Sequence, residues 1–245
     1  MKHSIQWVRS VIYLGLIYFN LMVVGIVFLP WALVSRSGAF AAAHTWCRST
    51  MWLAGWMVGI KTEVRGTPPT GEVLVAAKHQ SFLDIIMIYA SLPRGKFIMK
   101  RELIYTPVIG IYGLRMGCVP VDRGKRGAAI KKMVAQVVAG IGNPGQLIIF
   151  AQGTRVPPTE KLPYKIGAGI LYKELKQDCV PVAVNVGAFW PAHGIMRTPG
   201  TAVIEFLPTI PAGKSLSDFM EELENVVETR SEELLVESGY YDRQK

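Results

Sequence analysis

The stretch Lys78-His79-Gln80-Ser81-Phe82-Leu83-Asp84 sets an imidazole five positions ahead of a carboxylate. Histidine is the side chain whose ordinary titration spans neutral pH, so an imidazole steadied by a carboxylate on one nitrogen offers the other as a proton acceptor. Ser81 and Asp84 also read as a helix capping box, which needs no catalytic histidine but would bring Asp84 back toward His79 from the first helical turn. Two further segments end apolar runs with a fixed cation. Gly117-Cys118-Val119-Pro120-Val121-Asp122-Arg123 closes on one arginine, and Phe150-Ala151-Gln152-Gly153-Thr154-Arg155 passes through a glycine turn to another. A guanidinium is a planar, permanently charged fork that matches phosphate, and the Gly153 and Thr154 amides are potential extra donors. Val180-Pro181-Val182 forms a third, apolar element.

These residues need a scaffold that gathers loops. After residue 61 the chain alternates short apolar runs with helical stretches, the pattern of an α/β domain with a mostly parallel central sheet flanked by helices. Strands are expected over 73–77, 97–99, 118–121, 146–151, 180–185 and 201–206, and helices over 82–90, 128–139, 167–176 and 216–237. The last helix opens with Ser215 and Asp218 in capping positions and carries Leu216, Phe219, Leu223, Val227 and Leu234 along one face. His79, Arg123 and Arg155 would then all follow the ends of strands, where an α/β sheet collects its chemistry.

In front of this body lies a different kind of chain. Residues 11–34 carry no formal charge, and five of the six tryptophans fall within the first 56 residues: Trp7, Trp31, Trp46, Trp52 and Trp56. A run of that length can cross a hydrocarbon core of roughly 30 Å, and indoles favour the headgroup layer. Lys2 and Arg9 precede the run and Arg36 and Arg48 follow it, so no charge asymmetry selects a single crossing. A bent two-helix anchor immersed from one side accommodates both charge sets. Residues 1–60 are thus expected to form an apolar N-terminal two-helix membrane anchor, and 61–245 the α/β domain.

The chain has 245 residues and a formal charge of +9, unevenly spread. No acid precedes Glu63, and nine of the 18 acids lie between Asp218 and Asp242. The basic body calls for anionic clients. Nucleic acid is a poor candidate, because the tryptophans cluster in the apolar segment and no binding module is evident. Cys47, Cys118 and Cys179 are odd in number and widely spaced, indicating neither a disulfide framework nor a zinc site, and no metal is expected.

Taken in order, H-x-x-x-x-D, G-x-x-x-V-x-R, F-x-x-G-T-R and V-P-V resemble the four blocks of the glycerolipid acyltransferases, most closely the bacterial 1-acylglycerol-3-phosphate acyltransferases. The resemblance runs from Lys78 to Val184, and Tyr164-Lys165-Ile166-Gly167 is similar to a further family element. It implies that His79 takes the acceptor hydroxyl proton with Asp84 as its partner. It implies further that Arg123 and the loop Gln152, Gly153, Thr154 and Arg155, with Lys100 and Lys165, bind the acceptor phosphate, and that Val180, Pro181 and Val182 face the acyl side. The implied reaction moves a fatty acyl chain from acyl-carrier protein or acyl-CoA to the 2-hydroxyl of lysophosphatidic acid, making phosphatidic acid. No cofactor is implied beyond that donor thioester. The partners implied are anionic membrane lipid, lysophosphatidic acid and the donor, at the cytoplasmic face of a bacterial-type inner membrane. Glycerol-3-phosphate or a lyso-aminolipid could be acylated by the same chemistry, and a catalytically silent membrane-binding protein is the non-enzyme alternative. Two positions depart from the family pattern: Lys78 stands where asparagine is common, and Gln152 where glutamate is common.

Overall fold

A computed structural model describes residues 2–121, 132, 134–137 and 144–242. Seven strands form one sheet in the order β1-β7-β6-β2-β5-β3-β4: β1 (Ile60–Arg65), β2 (Leu74–Ala77), β3 (Lys96–Lys100), β4 (Val119–Val121), β5 (Leu147–Phe150), β6 (Cys179–Val184) and β7 (Gly200–Phe206). All neighbours pair in parallel except β6 with β7, so β7 and its partner β1 run against the other five. The six expected strands are present, with no end shifted by more than one residue. The edge strand β1 escaped notice because Ile60-Lys61-Thr62-Glu63-Val64-Arg65 is largely polar and half exposed, with little apolar alternation to read.

Side-chain parity divides the sheet into two faces. Val75, Ala77, Ile148, Val180, Val182 and Val184 join one apolar cluster with α4 (Phe82–Ser91). Leu74, Ala76, Leu147, Ile149 and Cys179 join another, built on α6 (Gly167–Leu175) and α7 (Leu216–Glu237). Strands buried on both faces carry continuous apolar runs, which is why their positions were legible. Of the helix expected over 128–139, residues 132 and 134–137 are helical and the remainder lies outside the described residues. An additional helix, α5 (Pro107–Met116), starts at Pro107 and ends at Gly117, which adopts φ +83°. All three cysteines are buried free thiols.

The N-terminal segment forms α1 (Lys2–Val27), the short α2 (Leu29–Val34) and α3 (Arg36–Leu53), followed by one wide π-type turn into Gly59. Pro30 sits in the first turn of α2, and Ser35 caps α3. α3 packs one side against α4 and α5, burying Ala39, Ala42, Cys47 and Thr50, and leaves Thr45, Arg48 and Trp52 exposed. α1, whose stretch His3–Val27 is long and apolar enough to cross a bilayer, is held along its whole length. Gln6 Nε2 donates to the Val58 and Arg197 carbonyls, Tyr13 Oη to Thr50 O, Trp46 Nε1 to Ile17 O, Ser49 Oγ to Asn20 Oδ1, and Tyr112 Oη to Gly25 O. Tyr13 and Ile17 belong to the same buried cluster as the sheet.

Candidate active site

β2 delivers the central residue. Ala77 pairs in register with Phe150, and His79, two residues further on, keeps the parity of Ala77. Its ring therefore comes to lie on the Phe150 ring, with centroids 3.9 Å apart and planes 18° from parallel. His79 Nδ1 donates to Asp84 Oδ1 at 2.9 Å. Asp84 is fully buried, and its other oxygen accepts the Gln80 and Ser81 backbone amides, both at 2.7 Å. Leu83 N donates to Ser81 Oγ, completing the capping box at the start of α4. Capping and orienting are therefore one arrangement. The carboxylate that closes the helix end also fixes the imidazole tautomer, leaving Nε2 as the acceptor. Val156 N donates to the His79 carbonyl at 2.7 Å and ties this loop to the one after β5.

His79 opens onto a cavity of about 740 Å³. Its walls are largely apolar and come from α1, α3, α4, β3 and α5; Leu14, Trp46, Phe82, Ile98 and Tyr112 are representative. The charged side chains on this wall are all cationic: Lys100, Arg155 and Arg197, with His193 beside them. No carboxylate lines the cavity among the described residues. A hydroxyl could thus meet Nε2 at the rim of an apolar chamber with an anion held nearby.

The residues singled out in the sequence divide into three groups. His79, Lys100, Thr154 and Arg155 meet at the cavity. Lys100 also pairs with Glu102 at 3.3 Å, and the exposed Arg155 donates from one terminal nitrogen to Ala192 O at 3.0 Å. Arg123 lies outside the described residues. The others are placed elsewhere. Gly153 adopts φ +72°, as its turn requires, but its amide donates to Phe150 O and is not available to a ligand. Lys165 is exposed beside that turn without lining the cavity. Val180, Pro181 and Val182 are buried in β6, one of the sheet's inner strands, and do not line the cavity: Val180 and Val182 join the apolar cluster with α4, and Pro181, in register with Ala76, has the parity of the opposite face.

Gln152 is likewise absent from the cavity wall. It is buried with its Nε2 directed at Glu228 Oε1, 3.4 Å away. Lys78 has the parity of Ala76, opposite to His79, and so points to the other sheet face. Its Nζ meets Glu228 Oε2 at 2.6 Å with both side chains buried. Tyr164 Oη donates to Glu228 Oε1 at 3.0 Å, and burial together with that carboxylate raises the phenol pKa well above its ordinary value. The two departures noted in the sequence thus meet at one carboxylate from α7. Glu228 is one of the nine acids of the C-terminal stretch, and local periodicity held no sign of its partner 150 residues earlier. Phe150 was missed as well, because its register with Ala77 exists only in the paired strands.

Comparisons with known proteins bear on the family and the fold. A 1-acyl-sn-glycerol-3-phosphate acyltransferase of Pseudomonas aeruginosa is 27% identical over 213 residues, covering 85% of this chain and 83% of its own. The human 1-acyl-sn-glycerol-3-phosphate acyltransferase alpha is 30% identical over 161 residues, covering 64% of this chain and 57% of its own. The crystal structure of the 1-acyl-sn-glycerophosphate acyltransferase PlsC from Thermotoga maritima has the same fold, with a TM-score of 0.79 over 96% of this chain and 99% of that one, at 19% identity. Residues 61–185 match the family model described as Acyltransferase, and the chain belongs to the acyltransferase family.

Proposed function

We propose that the protein transfers a fatty acyl chain from a thioester of acyl-carrier protein or coenzyme A to the 2-hydroxyl of 1-acylglycerol-3-phosphate. The observation that carries this reading is the His79–Asp84 pair set at the rim of an apolar cavity whose charged lining is cationic. The hydroxyl gives its proton to His79 Nε2 as its oxygen attacks the thioester carbonyl. The C–S bond breaks, and the departing thiolate takes the proton from the imidazolium. Asp84 stabilises that imidazolium without becoming protonated. A thioester is already activated, so no acyl-enzyme and no cofactor enters. The apolar walls would receive acyl chain. Incubation of the detergent-solubilised protein with labelled acyl thioester and a panel of lysolipids tests the reading. Lysophosphatidate should be acylated well above neutral and zwitterionic acceptors; a panel with no acylated member would overturn the assignment.

Arg155 is proposed to bind the acceptor phosphate. Because it is exposed, Arg155→Gln should raise the lysophosphatidate KM about tenfold, matching ~1.5 kcal/mol for a hydrogen bond between charged groups, below the roughly 2–5 kcal/mol of a fully desolvated pair. Initial rates at varied acceptor concentration check this, and an equal loss against a phosphate-free acceptor would move Arg155 out of the site.

Residues 1–60 are proposed as the membrane-associated part and 61–245 as the α/β domain, acting at the cytoplasmic face of a bacterial-type inner membrane. Immersion from one side is favoured, because a helix tied to the body at Gln6, Tyr13, Ile17, Asn20 and Gly25 cannot traverse the bilayer apart from it. Deleting the segment is a poor test, since Tyr13, Ile17 and Cys47 are core. The free face of α1 and α2 offers better positions: Phe19 and Ile26 are about two-thirds exposed, at 67% and 66%. Phe19→Lys with Ile26→Lys should leave the melting temperature unchanged and cut co-sedimentation with neutral vesicles severalfold, as expected from losing two large apolar anchors. Undiminished binding would place the membrane contact elsewhere.

A further inference from the structure

Among the described residues, Lys78 and Arg197 are the buried lysine and arginine side chains, and they are treated differently. Lys78 has a carboxylate at 2.6 Å. Arg197, 4% exposed, has none among the described residues; the charged forms nearest to it would be the phenolates of Tyr13 and Tyr18. Its guanidinium lies 4.4 Å over the Trp190 ring, and one terminal nitrogen donates to the carbonyls of Gly194, Ile195 and Met196 at 3.0–3.2 Å. Those dipoles offset part of the desolvation cost, yet Nε is buried without a partner and burial still lowers the pKa to about 10. A buried guanidinium of this kind is stabilised by any anion that reaches it.

The surroundings show where such an anion would sit. Arg197 lines the His79 cavity, as do Arg155, His193 and Trp190. Its backbone is immobilised from α1: the amide donates to Ser10 Oγ at 2.9 Å, and the carbonyl accepts Gln6 Nε2 at 2.8 Å. The loop of residues 190–197 is gripped near one end by Arg155, through Ala192 O, and at the other by Arg197 itself. Two guanidinium forks thus share one short loop and one acid-free cavity.

We propose that Arg197 is a second anion-binding residue of this site, completing with Arg155 a two-arginine clamp for the phosphomonoester of the acceptor. The inference rests on the acceptor being a phosphomonoester, as proposed above. It adds a residue that no sequence block suggested, held in place by the membrane-facing helix. A phosphomonoester carries close to two negative charges, which two guanidiniums match and one leaves about half compensated.

The test uses the full-length protein in a neutral, phospholipid-free detergent, so that bilayer headgroups cannot supply the phosphate. Glycerol 3-phosphate should raise the melting temperature of the parent and not that of Arg197→Gln. In steady-state assays the variant should raise the lysophosphatidate KM ten- to a hundredfold and keep the acyl-thioester KM within twofold. Should Arg197→Gln fail to fold, Arg197→Lys carries the test, with a rise of threefold or more in the lysophosphatidate KM for loss of the planar fork. Equal stabilisation of parent and variant by glycerol 3-phosphate, or a parallel rise of both KM values, would overturn the clamp and leave Arg197 as a support of the loop. Stabilisation confined to the parent, without acylation of lysophosphatidate, would sink the proposed reaction while the clamp stands.

Discussion

Replacing His79 with alanine should lower turnover by the roughly 10²–10⁴-fold that a positioned general base contributes, with the melting temperature and vesicle binding near those of the parent. The imidazole is stacked on Phe150 and bonded to Asp84, but it anchors nothing else by its side chain. Asp84→Asn makes a sharper second measurement. The amide retains an oxygen that can accept from the ring, but it cannot satisfy both the Gln80 and Ser81 amides and the imidazole while stabilising a positive ring. Its loss should therefore combine a rate effect with a fall in stability, whereas His79→Ala shows the rate effect alone. Turnover of the alanine variant within threefold of the parent would remove His79 from the mechanism.

Glu228→Gln is expected to be the most destabilising single polar change, because it leaves the Lys78 ammonium buried with no counter-charge. Removing one partner of a buried pair costs about 3–5 kcal/mol, while removing both in favour of apolar or neutral groups is often close to neutral. The double variant Lys78→Met with Glu228→Gln should therefore recover most of the stability lost by the single one. Thermal or denaturant unfolding in detergent measures both, and a single variant within about 1 kcal/mol of the parent would contradict the pairing. The same geometry changes the outlook for Gln152. From the sequence, a glutamate at this position looks conservative and even restores the family's usual residue. In the structure it would set a second carboxylate beside Glu228, with one ammonium to serve both.

What could be read from the chain and what could not follow from the range of the interactions. The capping box at Ser81, the strand runs of β2, β5 and β6 and the glycine turn at 153 are local, and each left a pattern within ten residues. His79 and Asp84 were legible for that reason. Lys78 with Glu228, Arg197 with Ser10 and Gln6, and α1 with the cavity wall join residues 150 or more positions apart or elements with no shared periodicity. Side-chain types gave no hint of those meetings. The apolar character of residues 11–34 was plain from the sequence, but composition could not divide it between an exposed face and a face that packs on the body.

The pairing of β1 with β7 bears on how the chain reaches this state. Ile60 lies opposite Gly200, about 140 residues further along, and among the described residues β1 has no other strand beside it. Contacts of such separation close late and slowly. On a ribosome the apolar α1, α2 and α3 emerge long before β7, α6 or α7 exist, so the surface they finally share with the sheet stays uncovered throughout synthesis. Apolar surface left open in that interval is prone to aggregate. Recovery from denaturant should accordingly depend on detergent or vesicles being present from the first moment of dilution rather than added afterwards.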